Sequence, residues 1–402
     1  MKKILVMSLC AAAVMSASAQ KETVDQAAKL SGKLDKIADA RTLIGQAIAT
    51  EPTSKEARTY YVAGKLEFDA FDNAMAKRAI NPDDPAVNLM DMGNELIAGY
   101  NYFVQALPLD SVPNEKGQVK PKFSKDMVGK INGHHQDYFN FGGEMFNNKH
   151  YYPEAYNAFM IYGEIPSKSW ASKDVKAVPD STVALAYHYA GIGAFSGNAL
   201  PDAIKAFKKA RLAGIKDPQN YVYEIASWQN LALRDSTLED QAKNEIQTIA
   251  RHGYDRFGVS NPLFINNLVN SMLQGKKYQD AIALVSEQIT KTPDLPFLYG
   301  LRAYVYDRAG DNDAALADYR KAVTYDNADV ETLCNAAKKL YTQGSEAWNL
   351  IEGNQPEARA NVRNNFWIPA KEIAERAQAL DPNNHDAGYI LENINYALET
   401  YF

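Results

Sequence analysis

A spacing is the feature that most restricts what this chain can become. In residues 309–323, AGDNDAALADYRKAV, Ala315, Tyr319 and Ala322 fall at i, i+4 and i+7. That places all three on one face of a helix. The run Gly310-Asp311-Asn312-Asp313 ahead of them reads as the polar turn that starts it. A face carrying two alanines gains little from burial on its own, so a second helix must approach it closely, and the same face should recur. It does. Ala281 and Val285 repeat it 34 positions earlier. Further copies are Ala203, Phe207 and Ala210, then Ala155 and Phe159, then Ala40, Ile44 and Ala47, and finally Ala370, Ala374 and Ala377. In the copies beginning at 40, 281 and 370, a proline (Pro52, Pro293, Pro382) falls twelve positions after the first alanine. A helix must stop there.

Each copy needs a helix in front of it. Twelve positions before Ala203 stands Gly191, before Ala155 stands Gly143, and before Ala315 stands Ala303. The unit is therefore helix, turn, helix, with a small residue on each rod where the two meet and aromatics filling the gaps between successive pairs. The 34-residue period and this residue set resemble the tetratricopeptide repeat. The resemblance covers most of the chain after the first 20 residues, and it implies an all-α fold: a right-handed α-solenoid of helix-turn-helix repeats with loop insertions. Eight units are expected, at about 21–54, 55–107, 136–167, 184–217, 219–257, 262–295, 296–329 and 330–383, with a last helix near 384–400 to cover the open end. The unit at 219–257 matches poorly, Arg302 stands where an apolar residue is usual, and Asn327 stands where a closing proline is usual.

The expected organisation is a signal peptide at 1–19, N-terminal repeats at 20–107, a polar insertion at 108–135, central repeats at 136–329, and a C-terminal repeat with an insertion and capping helix at 330–402. Lys2 and Lys3 precede a short apolar run, Ile4 to Val14, and Ala17-Ser18-Ala19 is a small-x-small cleavage site. This pattern predicts export to the periplasm with cleavage after Ala19. Cys10 follows Leu9, where a lipid-anchor signal needs a small residue. Cleavage also leaves Cys334 as the lone cysteine, which reads as a small core hydrophobe. No other stretch is apolar for long enough to span a bilayer.

Charge and motifs narrow the function classes. Loss of Lys2 and Lys3 takes the net charge from −6 to −8, so no general basic field is available for nucleic acid. There is no H-E-x-x-H, G-x-S-x-G, paired-cysteine or Walker pattern, and no cofactor or metal is expected. GIGAFSG, beginning at Gly191, lacks the third glycine of a dinucleotide fingerprint, and packing already accounts for Gly191. His134 and His135 are neighbours that point about 100° apart on a helix, which makes a poor metal pair, and His150 is remote in sequence.

The resemblance implies a concave groove lined by the first helix of each unit, at its fifth and ninth positions. Carried over by offset, these are Asn140 and Glu144, His188 and Ile192, Asn266 and Asn270, and Gly300 and Tyr304, with Arg308 one turn further on. Asparagine amides can pair with an extended peptide backbone, each offering donor and acceptor. The fifth position of 262–295 lacks the basic residue that carboxylate-gripping members carry, so acidic C-terminal tails are not expected ligands. The leading expectation is a non-enzymatic exported scaffold that binds a protein or peptide partner in the cell envelope. The rival is a glycan-binding helical protein. Trp170, Trp348 and Trp367, in insertions at 166–182 and 343–367, would be its platform, and a third insertion at 108–127 carries Lys116, Lys120, Lys122 and Lys125. Partner identity and oligomeric state stay open at this level.

Overall fold

A computed structural model describes residues 17–82, 84, 87–113, 116–148 and 151–402. Residues 1–16 of the expected signal peptide lie outside that range, as does His150. The described residues are helical with no strand. In order they form α1 (Ala17–Ser31), α2 (Ile37–Ile48), α3 (Ala57–Ile80), α4 (Leu89–Asp110), α5 (Ser124–Gly133), α6 (His135–Asn147), α7 (Tyr152–Glu164), α8 (Lys173–Lys176), α9 (Asp180–Ser196), α10 (Leu200–Leu212) and α11 (Gln219–Arg234). The chain continues as α12 (Glu239–Phe257), α13 (Pro262–Gln274), α14 (Tyr278–Lys291), α15 (Pro296–Ala309), α16 (Asn312–Ala322), α17 (Val330–Asn349), α18 (Pro356–Val362), α19 (Ile368–Leu380) and α20 (His385–Tyr401). There are two compact units, and the division falls between Ala242 and Lys243, inside α12.

Helix starts and stops follow local chemistry. Asn88, Asp311, Asp329 and Asn384 cap their helices by accepting a backbone N–H through the side chain. Pro262 and Pro296 open α13 and α15, where a missing N–H costs nothing. Gly310 ends α15 at φ +84, a left-handed conformation that lets the chain turn straight back into α16.

In the first unit α1 pairs with α2, α3 with α4, α6 with α7, and α9 with α10. In the second, α13 pairs with α14, α15 with α16, and α17 with α19, while α20 packs on both α17 and α19. These are seven of the eight expected helix-turn-helix repeats; the eighth, at 219–257, is crossed by the division within α12. The alanines of the recurring face are sealed at the contacts: Ala40, Ala155, Ala203, Ala210, Ala281, Ala315, Ala322, Ala370, Ala374 and Ala377 are all fully buried. Glycines open notches for aromatic rings. A Cβ on Gly191 would sit 2.5 Å from the Phe207 ring, so the packing reading of GIGAFSG holds. Gly64 and Gly99 make a reciprocal pair across α3 and α4, each lying against the other helix's phenylalanine, Phe103 and Phe68 respectively.

Several expectations need correction. In α6 the notch is Gly142, not Gly143: a Cβ on Gly142 would lie 2.9 Å from the Phe159 ring, whereas nothing stands within 4 Å of one on Gly143. Two glycines in a row hid the register. The span 108–135 is not all loop, because Ser124–Gly133 is α5. Both Asp110 carboxylate oxygens tie its return, accepting from Lys122 N (3.0 Å), Phe123 N (2.9 Å) and Ser124 N (2.8 Å), and Phe123 stacks on Tyr61 at 4.5 Å. In 166–182, Ala171 and Val175 are buried, and Asn132 Oδ1 accepts from Ser172 N at 2.8 Å. Finally, 343–367 is largely helical. It comprises the end of α17, then α18 and a wide turn over Arg363–Trp367.

Candidate functional site

Within the second unit, α13, α15 and the start of α17 stand side by side around a groove of about 830 Å³. Close approach at the centre makes it possible. Gly300 of α15 is buried, and a Cβ there would be 3.0 Å from Thr332 of α17. The floor carries Phe297 and Leu301, both half-buried, and Tyr304 stands further along α15. Asn266 and Asn270 flank it from α13, and Asn335 from α17.

The polar chemistry of the groove is open. Asn267, beside Asn266, spends its amide on its own helix, donating to the Leu263 carbonyl at 2.8 Å. Among the described residues, the side chains of Asn266, Asn270 and Asn335 have no such partner. Each therefore offers two donors and an acceptor to a ligand. Asp329 is occupied as the cap of α17: its two oxygens accept from Thr332 N and Thr332 Oγ1, both at 2.8 Å. Arg308 lies beyond the groove lining, exposed, donating to the Tyr304 hydroxyl at 3.2 Å.

Asn335 also lines a second cavity, of about 240 Å³, between α17 and α20. Cys334, Lys338 and Tyr341 face Asp386, Tyr389 and Asn393 there. Cys334 is buried, and burial first, with Asp386 and Asp329 adding, pushes its thiol up and disfavours the reactive thiolate. The groove thus continues past α17 onto the capping helix, a continuation that the offset rule missed because it carried over only the fifth and ninth positions of each unit. Asn335 and Glu331 sit on the face of α17 that corresponds to Leu301 and Phe297 one repeat earlier, so carrying all inner-face positions forward by 34 would have found them.

Of the expected site residues, Asn266, Asn270 and Tyr304 come together, joined by Gly300, with Arg308 at the Tyr304 edge. The other three lie in the first unit. Asn140 is exposed and accepts from Gln136 at 3.1 Å. Glu144 forms an ion pair with Arg78 of α3 at 2.7 Å. His188 is not a lining residue: it is buried, with Nδ1 3.2 Å from Asn220 Oδ1 of α11. The one-residue register error at Gly143 displaced Asn140 and Glu144, and the neighbouring helix α11 covers His188. Of the insertion tryptophans, Trp170 is half-buried and the other two pack together. Trp367 is 1% exposed and Trp348 packs on it at 5.4 Å, with Tyr401 against both. His134 and His135 also have structural duties. His134 Nδ1 lies 2.9 Å from Asp137, and His135 Nε2 lies 2.9 Å from the Tyr162 carbonyl.

No family model and no curated protein matches the chain. Among solved structures, it is similar to yeast Tom70, at 15% identity over 95% of this chain and 89% of that one, with a TM-score of 0.33. It is similar to the TPR domain of P58(IPK), at 14% identity over 94% and 98%, with a TM-score of 0.29. It is also similar to the Cut9–Hcn1 hetero-tetramer of the APC/C, at 14% identity over 90% and 81%, with a TM-score of 0.28. These scores are low, so the helical-repeat architecture stands on the pairing and notch contacts of the helices themselves. No described helix is long and apolar enough to cross a membrane.

Proposed function

We propose that this protein is an exported, non-enzymatic scaffold of the cell envelope that holds an extended segment of a partner protein in the α13–α15–α17 groove. The observation that carries this reading is the trio Asn266, Asn270 and Asn335, whose uncommitted amides flank a partly apolar floor. An extended backbone presents alternating N–H and C=O groups, and asparagine can answer both. Asparagine is a poor helix former, so two of them turned toward a groove on the 13-residue α13 cost stability that a binding role would justify. The N-terminal pattern, with Lys2, Lys3 and the Ala17-Ser18-Ala19 site, supports export, and cleavage after Ala19 would leave Gln20 first.

The test is in-cell photo-crosslinking from position 270, with the captured proteins identified by mass. Expected is a discrete protein adduct in the envelope fraction that disappears when Asn266 and Asn335 are replaced by alanine. An adduct pattern unchanged by those replacements, or no protein adduct at all, ends the groove reading. N-terminal mass analysis of the envelope form checks cleavage at Gln20.

A further inference from the structure

Resting on the groove as a peptide site, we infer that its occupant is an extended segment presenting a lysine or arginine beside an apolar residue, the basic group meeting Glu331. Charge and shape both point there. Among the described residues lining the groove, Asp329 and Glu331 are the charged ones, and both are acidic. Both oxygens of Asp329 are held by Thr332 at the positive end of α17. That leaves Glu331 as the groove's available anion. It is exposed in the first turn of α17 and makes no ion pair among the described residues. Phe297 and Leu301, half-buried on the adjacent α15, offer apolar surface for a neighbouring side chain. Arg308, at the far end beside Tyr304, repels a second base and so favours one placement of the cation along the groove.

This preference is opposite to that of repeats that grip an acidic tail. A cation at Glu331 is held in a partly enclosed groove, where one ion pair changes affinity by several-fold rather than by orders of magnitude. Charge reversal, which substitutes repulsion for attraction, roughly doubles that in free energy.

The experiment pans a displayed library of random twelve-residue peptides against the mature chain and against Asn270→Trp, an exposed position where an indole fills the groove. Circular dichroism and melting of every variant establish that it is folded. Expected are peptides enriched on the parent and lost on Asn270→Trp, with lysine or arginine over-represented next to an apolar residue and acids depleted. A capped synthetic copy of the leading peptide should weaken roughly five- to tenfold when its base becomes glutamate, and Glu331→Lys should reverse that order. Groove-dependent peptides with no basic preference, or an order that Glu331→Lys leaves intact, overturn the charge inference while keeping the peptide groove. No enrichment over Asn270→Trp overturns both.

Discussion

Two adjacent glycines in α6 provide a controlled test of the idea that small residues set the helix spacing. Gly142 and Gly143 share a helix, a sequence neighbourhood and a backbone conformation, so replacing either by alanine brings the same gain, about 1 kcal/mol of helix propensity. They differ in what a methyl group would meet. At Gly143 it meets nothing within 4 Å, and Gly143→Ala should stabilise the protein by about 0.5–1 kcal/mol. At Gly142 it lands 2.9–3.0 Å from three atoms of the Phe159 ring. That ring is 2% exposed and lies between Phe139 at 5.5 Å and Tyr189 at 5.6 Å, so it has little room to yield. Overpacking of this kind costs about 1–3 kcal/mol. The propensity gain cancels in the comparison, leaving Gly142→Ala about 1–3 kcal/mol less stable than Gly143→Ala. Urea unfolding followed by circular dichroism reads the difference directly from the two midpoints. Phe159→Leu in the Gly142→Ala background should recover part of the loss, showing as a coupling between the two sites. Equal midpoints for the two alanine variants would refute the notch as the determinant of packing.

The first unit supplies the other tests. Arg211 and Glu224 form a bidentate pair at 2.8 and 3.0 Å between α10 and α11, with Glu224 wholly buried. Arg211→Met removes this bidentate partner from a buried carboxylate and should cost about 3–5 kcal/mol, whereas adding Glu224→Leu should restore most of it in a thermal melt. Burial raises the Asp110 carboxyl, but the donors from Lys122, Ser124 and Phe123 outweigh it and hold the group below its usual value. Its contribution is therefore complete above about pH 4 and lost as pH falls through the lowered folded value. Proteolysis in the 111–123 connection should rise over that acid range, and Asp110→Asn should show the same sensitivity already at neutral pH, at a cost of about 1–2 kcal/mol.

The repeat itself was readable because it is written in side-chain size, and size acts locally: Ala203, Phe207 and Gly191 specify their contact whatever lies elsewhere. The same logic failed where one residue had a twin. FNFGGEMF contains two glycines, and composition alone cannot say which faces Phe159. The groove was half legible. Asn266, Asn270 and Tyr304 could be found because their units keep the 34-residue period. Asn335 and Glu331 keep the same period, 34 residues after Leu301 and Phe297, but stand outside the fifth and ninth positions that the rule carried over. His188 showed the opposite limit. Its offset was that of a lining residue, but burial depends on how closely the next helix follows, and α11 places Asn220 against it. Tryptophan in an insertion was a poor guide to exposure for a similar reason. Trp367 is separated in sequence from its contact at Gly344 by the whole of α18, far beyond the reach of any local pattern.

That indole has a consequence for how the molecule tolerates change. Trp367 and Phe366 press into the gap left by the missing side chain at Gly344, where even a methyl would come within 2.7 Å. The chain leaves α17, wanders through the largely solvent-exposed Leu350–Gln355 stretch, and is then brought back to a fixed address before α19 begins. Contour length between departure and return is thereby uncoupled from the geometry of α19 and α20. Residues could be spliced into or trimmed from that excursion, or a reporter domain grafted there, with the terminal helices still docking as before.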